Sequence, residues 1–124
     1  RTRGHGACIQ ANLEQIPLGD QSVDGMTCIY LFHELPPRVR RIVAAEFARV
    51  LRPGGVLVLA DSVQGSDRPD LERLLQAFPV FFHEPFYDSF QSEDLTALFA
   101  EAGLVQDDED MAFLTKARLF RKPA

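Results

Sequence analysis

The stretch Val50-Leu51-Arg52-Pro53-Gly54-Gly55-Val56-Leu57-Val58-Leu59-Ala60-Asp61 decides the fold of this chain. It begins as the end of an amphipathic helix, continues through a Pro-Gly-Gly turn, and enters an apolar strand that ends at an acidic residue. A helix followed closely by a buried strand is one unit of an open, wound α/β sheet. Such sheets bind ligands beyond the carboxyl ends of their strands, so Asp61 is expected at the functional edge.

The residues before this unit predict the strands and the helix that lead into it. A short strand is predicted at 7–11, and the mostly apolar run at 23–32 is typical of a strand buried on both faces. Pro36 and Pro37 suit the first turn of a helix, and apolar residues then recur at helical spacing up to residue 51. The Pro-Gly-Gly turn is expected to end that helix.

The residues after this unit predict further helices and a closing pair of strands. Apolar spacing predicts a helix over 70–78 and another that Ser92 caps and Gly103 ends. Two final strands are predicted over 104–114 and 116–121. Alternating strands and helices imply parallel pairing through crossovers, and the closely spaced last pair implies one antiparallel strand.

Composition and charge narrow the class of protein. The chain has 124 residues, of which 46% are hydrophobic and 25% charged, as in one small globular domain. Its net charge of −5 argues against a nucleic-acid partner, because phosphate neutralisation needs a basic face. The one basic cluster, five arginines between residues 38 and 52, is expected to form the solvated face of a helix.

The apolar runs and the two cysteines of the sequence indicate in which compartment the protein is expected. No apolar run reaches the roughly 18 residues of a membrane span, so no membrane partner is expected. The N-terminus lacks the apolar stretch of a signal peptide. Cys8 and Cys28 lie in apolar surroundings typical of buried reduced thiols, which favours a cytoplasmic protein.

Three stretches, taken in order, resemble the C-terminal half of the class I S-adenosylmethionine-dependent methyltransferases. They are residues 12–24, residues 46–55 with the words Glu-Phe-Ala-Arg-Val-Leu-Arg-Pro-Gly-Gly, and residues 87–104, which end in Ala-Gly-Leu. The resemblance implies a Rossmann-like α/β sheet, mostly parallel with an antiparallel last strand and lacking the first two strands. Residues 1–124 would then be the C-terminal portion of a single methyltransferase domain that transfers a methyl group from S-adenosylmethionine to a small molecule.

The resemblance also implies four residues that contact the cofactor. Asn12 and Leu13 match the positions that hold the adenine amine and pack on its ring, although Asn12 replaces the family's usual Asp. An amide oxygen can accept the same hydrogen bond. Ile29 and Tyr30 match the end of strand four, which lines the methionine and ribose side. On the residues alone, Asn12 is equally an Asx-turn residue, and Ile29 is equally a core residue.

His33 and Glu34 are the candidate catalytic residues. In the resembling family this position often carries a His near the transferred methyl, where it can act as a base on a weakly acidic nucleophile. Alternatively, both residues simply open the next helix. A zinc-protease motif would need a second His where Pro37 stands, and the pair His83-Glu84 adds little, so no metal is expected.

The substrate side is expected to be apolar, as small-molecule sites generally are. Asp61 lies at the carboxyl end of its strand, and the region 78–90 is dense in aromatic residues. Asp61, Phe82, Phe86 and Tyr87 are the candidates that line the acceptor pocket.

The family's glycine-rich loop and ribose-binding acid have no counterpart in this sequence. We therefore expect weak or no cofactor binding and no turnover by this chain alone. Without its strand-one neighbour, the Val23–Leu31 edge is open, which predicts a homodimer or a missing N-terminal half that supplies the partner strand. Two other functions stay open: a non-catalytic methyltransferase-like module used for oligomerisation or partner binding, and a nucleotide-binding oxidoreductase fragment, which the lack of a Tyr-x-x-x-Lys pair disfavours.

Overall fold

The computed structural model describes residues 12–64, 67, 86–112 and 114–124, without the side chain of Tyr87. The strand predicted at 7–11, with Cys8, and the helix predicted at 70–78 lie outside these residues. The described elements, in chain order, are β1 (Val23–Ile29), a 3₁₀ helix (Phe32–Glu34), α1 (Pro37–Val50), β2 (Leu51–Ser62), α2 (Tyr87–Gln91), α3 (Leu95–Glu101), β3 (Val105–Ala112) and β4 (Thr115–Arg121).

The described strands form one sheet with the spatial order β1-β2-β4-β3. β1 is parallel to β2, and β4 is antiparallel to both β2 and β3. Three strands therefore run one way and the last runs against them, which confirms the predicted mostly parallel sheet with an antiparallel last strand. Ile29 lies opposite Ala60, so the carboxyl ends of β1 and β2 are side by side.

The junction between α1 and β2 differs from the prediction. The helix ends at Val50, and the backbone is already extended at Leu51 (φ −73°, ψ 137°). The Pro-Gly-Gly sequence therefore lies inside β2, where the register with β1 shifts between Val23 and Gly25. Glycine is still required there, because a Cβ on Gly55 would lie 2.8 Å from the carbonyl oxygen of Arg52. At the helix end, the Nζ of Lys122 instead donates to the carbonyl of Ala48 in the last turn and to that of Leu51, the first residue of β2.

The hydrophobic core lies on one face of the sheet, under α1 and α3. Leu57 and Leu59 of β2 are fully buried, whereas the alternate residues Val56 and Val58 are partly exposed. Among the described residues, this alternation places the core on one face of the sheet. Four aromatic rings run through the core in a chain of contacts, with centroid separations of 6.3, 5.4 and 4.5 Å: Phe47, Phe32, Phe99 and Phe120.

Two of the three methyltransferase-like stretches are joined by one charged pair. Glu46 and Arg49 of α1 hold the loop before β1: Ile16 N donates to Glu46 Oε2 at 2.8 Å, and Arg49 Nη1 donates to the Leu18 carbonyl at 2.9 Å. Arg49 Nη1 also donates to Asp20 at 2.8 Å. The Glu and Arg of the 46–55 stretch thus position the 12–24 stretch against the helix.

The last described helix begins two residues later than predicted. Asp94, not Ser92, is the N-cap of α3, and its Oδ1 accepts from Ala97 N at 3.0 Å. The prediction missed this because Ser, Glu and Asp follow one another, and each suits the positive end of a helix. The predicted end is confirmed, since Gly103 adopts φ +95° directly after the C-cap Ala102.

Arg40 corrects the expectation that all the helix arginines are solvated. Its side chain is fully buried, whereas Arg38 and Arg41 are exposed. The physical reason is helical spacing: Arg40 lies three and seven residues before Val43 and Phe47, on the buried face of α1. No helix among the described residues is long and apolar enough to cross a membrane.

Candidate active site

A histidine and an aspartate meet at the carboxyl ends of β1 and β2. His33 lies in the 3₁₀ helix that follows β1, and Asp61 is the second-last residue of β2. His33 Nδ1 lies 2.7 Å from Asp61 Oδ1, within hydrogen-bonding distance. Parallel pairing brings the two together, because it places the residue after one strand beside the end of its neighbour.

Asp61 is fully buried and its position is fixed by several donors. Oδ1 also accepts from the amide of Ser62 at 2.7 Å, and Oδ2 is 3.4 Å from the amide of His33. A carboxylate without a proton only accepts hydrogen bonds, so a hydrogen bond to it from His33 uses a proton on Nδ1. In a neutral imidazole of that tautomer, Nε2 is the nitrogen that can take a proton.

The other residues predicted to be catalytic or to line the acceptor pocket differ from Asp61 in burial and contacts. Glu34 is exposed next to His33. Phe86 is partly buried and leads into α2, and its carbonyl accepts from Arg40 Nη2 at 2.8 Å. Phe82 and the side chain of Tyr87 lie outside the described residues. Phe90, the last residue of the aromatic region 78–90, packs edge-on against His33 with ring centroids 6.3 Å apart.

Two buried polar side chains near the pair were not predicted. Both hold the α2 region: Arg40 donates to the Phe86 carbonyl, and Gln64 Nε2 donates to the carbonyls of Phe90 and Glu93 at 2.7 and 2.5 Å. The position of Arg40 on the apolar stripe of its helix was a usable signal. Gln64 follows a strand end and carries no sequence signal of this kind. Across residues 12–64, 67, 86–112 and 114–124, no group of three or more metal-ligating side chains lies close enough to hold an ion.

Residues 1–59 match the family model of a methyltransferase domain. The chain is 36% identical over 94 residues to the O-methyltransferase cnsE of Penicillium expansum, which covers 75% of this chain and 32% of that protein. The Burkholderia thailandensis 1,6-didemethyltoxoflavin-N1-methyltransferase, solved with 1,6-didemethyltoxoflavin and S-adenosylhomocysteine, superposes with a TM-score of 0.69 at 16% identity. It covers 94% of this chain and 50% of that one.

The fold is that of a class I methyltransferase. Human N-acetylserotonin methyltransferase in complex with SAM has the same arrangement, with a TM-score of 0.69 at 16% identity over 94% of this chain and 33% of that chain. The chain spans about a third of the curated relative, 32% of its length. The resemblance expected from the three sequence stretches is therefore confirmed.

Within this methyltransferase fold, two predicted cofactor residues lie along one groove. Leu13 and Ile29 line an open groove of about 540 Å³ beside β1, together with other apolar side chains such as Met26, Leu31 and Phe47. Ile29 is 63% exposed, so it is a groove wall rather than a core residue. The lining of this groove among the described residues includes no charged side chain.

The other two predicted cofactor residues have partners within the chain. Asn12 is exposed, and its Oδ1 accepts from Glu14 N at 2.9 Å, which is an Asx-turn contact. Tyr30 has a left-handed backbone (φ +53°), and its hydroxyl contacts Thr115 at the start of β4. The structure thus brings Leu13 and Ile29 together, with Asn12 adjacent in the chain, and directs Tyr30 across the end of β2.

Proposed function

We propose that this chain is the C-terminal, acceptor-side portion of an S-adenosylmethionine-dependent methyltransferase domain that methylates a hydroxyl group of a small molecule. The observation that carries the proposal is the 2.7 Å contact between His33 Nδ1 and buried Asp61 Oδ1 at the carboxyl edge of the sheet. When bound, the cofactor supplies an activated methyl group on its sulfonium. The chain's own residues position the acceptor and take its proton.

His33 is the proposed base and Asp61 its positioning residue. A hydroxyl oxygen is a poor nucleophile until its proton is removed, so a base in reach of it raises the rate by about 10²–10⁴. Asp61 would hold the proton on Nδ1, so that Nε2 is the nitrogen that takes the acceptor's proton, and would stabilise the imidazolium that results. The curated relative is named an O-methyltransferase, which supports oxygen as the nucleophile. Glu34 has an exposed side chain, and we assign it no proton-transfer role.

The proposed cofactor contacts lie beside β1. Leu13 and Ile29 would pack on the adenine ring, and the amide oxygen of Asn12 retains a second lone pair that can accept from the adenine amine. Tyr30 would contribute its ring at the end of β1. Phe86, with Phe82 and Tyr87, is proposed to line the acceptor pocket, since Phe86 leads directly into α2 beside His33.

The open edge of β1 is the proposed contact for a further strand. Among the described residues, no strand pairs with the outer side of β1, and one face of the sheet is only partly buried. An upstream half of the domain, or a second copy through Val23–Leu31, would cover that edge. Sedimentation at micromolar concentration distinguishes these alternatives. A monomer of the longer protein supports coverage of the edge by the upstream half, and a dimer of this chain supports coverage by a second copy. A cytoplasmic location stays a prediction, with buried, unpaired Cys28 in keeping with it.

The cofactor part of the proposal is tested by calorimetry. S-adenosylhomocysteine is titrated into this chain, into the longer protein that contains it, and into the Asn12→Ala variant of each. We expect weak or no binding by the chain alone and binding by the longer protein that weakens about tenfold in the variant, as for the loss of one hydrogen bond. Gln15→Ala, an exposed residue of the same loop, is the matched control and should bind as wild type does.

The acceptor part is tested with a radiolabelled methyl donor and three probes: a phenol, an aliphatic alcohol and an aniline. Label transferred to a hydroxyl probe supports the proposal. Label transferred to the aniline alone contradicts oxygen as the nucleophile. Binding of the cofactor with no transfer to any probe would favour the non-catalytic module.

A further inference from the structure

The buried guanidinium of Arg40 connects two segments that flank His33. Nε donates to the carbonyl of Phe32 at 3.3 Å, directly before His33 in the 3₁₀ helix. Nη2 donates to the carbonyl of Phe86 at 2.8 Å and to Ser89 Oγ at 3.0 Å, both in the α2 region. One planar group therefore contacts the segment that carries His33 and the segment that packs against it.

Two more contacts fix the guanidinium in place. Nη1 donates to Glu93 Oε1 at 3.2 Å, and Cζ lies 5.6 Å from the ring centroid of Phe90. Phe90 is the residue that packs edge-on against His33. Burial lowers the pKa of Arg40, and the hydrogen bond and charge of Glu93 partly offset this. A charged group in such a place is retained only when its hydrogen-bond donors are paired.

Each carbonyl that Arg40 contacts also closes a backbone turn. The Phe32 carbonyl accepts from the amide of Leu35 at 3.1 Å, and the Phe86 carbonyl accepts from the amide of Phe90 at 3.1 Å. The first bond closes the 3₁₀ helix of His33, and the second closes the first turn of α2. A helix of five residues is too short to be stable by itself, so α2 depends on such tertiary contacts.

We propose that Arg40 is a positioning residue that couples the 3₁₀ helix of His33 to the Phe86–Glu93 turn, and so sets the distance between the base and the opposite wall of the acceptor site. This rests on the proposed role of His33. Arginine suits the task because its rigid fork reaches several acceptors at once, whereas a lysine ammonium is a single point charge. Arg40 touches no reacting atom; it acts through the two segments.

The test measures amide hydrogen exchange at Leu35 and Phe90 by NMR, in the full chain without ligand. The variants are Arg40→Gln and Arg40→Lys, and the matched control is Arg38→Gln on an exposed residue of the same helix. Leu57 of β2 reports the global stability. We expect both reporter amides to exchange about tenfold faster or more, beyond any change at Leu57, in both Arg40 variants and not in the control.

A purely structural role predicts a different pattern. If Arg40 only stabilises the fold, the amides of Leu35 and Phe90 change by no more than that of Leu57, and the proposal is wrong. It is also wrong if only one of the two reporters speeds up, because the segments are then not coupled. If both amides exchange in Arg40→Lys as slowly as in the wild type, only the charge of Arg40 matters, and this result also contradicts the proposal.

Ser89→Ala keeps the proposal testable if the Arg40 variants do not fold. It removes one acceptor on the α2 side only, so coupling requires the Leu35 amide on the other side to exchange faster as well. An effect limited to Phe90 overturns the proposal. A wrong assignment of His33 as the base gives a different result. In that case His33→Gln would leave methyl transfer unchanged, while the Arg40 variants would still speed up exchange at both Leu35 and Phe90.

Discussion

Replacing Asp61 by Asn tests how the buried carboxylate sets the tautomer of His33. The substitution keeps the shape of the side chain and removes its charge. Since Ser62 N donates to Oδ1 at 2.7 Å, it should hold the Asn carbonyl oxygen at that position, still facing His33 Nδ1. The amide nitrogen then takes the place of Oδ2, whose 3.4 Å contact with the amide of His33 is lost. The contact between the two side chains keeps its position, and the change removes the charge together with this one long contact.

The expected magnitude follows from the two kinds of hydrogen bond. A bond to a charged group contributes about 1.5–3 kcal/mol, and a neutral bond about 0.5–1.5 kcal/mol. Because about 1.4 kcal/mol is a factor of ten, the wild type should favour the Nδ1–H tautomer of neutral His33 by roughly 10- to 100-fold. In Asp61→Asn this ratio should fall about tenfold, since the neutral bond is weaker by about 1–1.5 kcal/mol.

Long-range ¹H–¹⁵N correlation spectra at mildly alkaline pH report the tautomer directly. The chain has three histidines, and a His33→Gln variant identifies the resonance of interest. Asp24→Asn is the matched control, because this residue is exposed and pairs with Arg52 at the far end of β1. It should leave the His33 spectrum unchanged.

The account of the pair is refuted if wild-type His33 carries its proton mainly on Nε2. It is also refuted if Asp61→Asn leaves the ratio unchanged, because the carboxylate would then not determine the tautomer. In either case His33 would not be prepared by Asp61 to take a proton.

Three further predictions concern stability and are checked by urea unfolding. Gly55→Ala should destabilise the fold by about 1–2 kcal/mol, since its Cβ would lie 2.8 and 2.9 Å from two backbone oxygens. In Gly19→Ala the added Cβ meets nothing within 4 Å, so this control should be neutral or slightly stabilising. Equal stability of the two variants would contradict the close approach at Gly55. Burial raises the pKa of Cys28 to about 12 from 9.0, so its thiol stays protonated in the folded chain while the unfolded chain ionises. The difference in free energy of unfolding between wild type and Cys28→Ala should therefore be constant below about pH 9. Above that pH the wild type should lose about 1.4 kcal/mol per pH unit relative to the variant. If the free energies of unfolding of the two proteins changed with pH in parallel, this prediction would be wrong. Asp94→Ala should cost about 1 kcal/mol and Ser92→Ala almost nothing; the reverse order would restore Ser92 as the cap.

Much of the fold could be predicted because local patterns and tertiary structure agree. The apolar run of β2 and the helical spacing of α1 each correspond to one buried face, and the closely spaced final strands do pair antiparallel. The exact ends of elements were less predictable. Ser92 and Asp94 are both good caps, and Lys122, more than 70 residues away in sequence, donates to a carbonyl at the end of α1.

The candidate site was predictable only in part. His33 and Asp61 were each singled out for their strand ends, and parallel pairing explains why they meet. Their direct contact depends on the turn at Tyr30, whose positive φ no sequence pattern indicates. Arg40 was misassigned to the solvated face, because composition places arginine outside and only its place on the apolar stripe argues otherwise.

The central claim is that His33 takes the acceptor's proton in an S-adenosylmethionine-dependent methyl transfer. The most direct measurement compares methyl transfer to the hydroxyl probe by the longer protein and by its His33→Gln variant, with S-adenosylhomocysteine affinity measured alongside. The account predicts that kcat falls about 10²-fold or more while the affinity for S-adenosylhomocysteine stays unchanged. Transfer by the variant at the wild-type rate would contradict it.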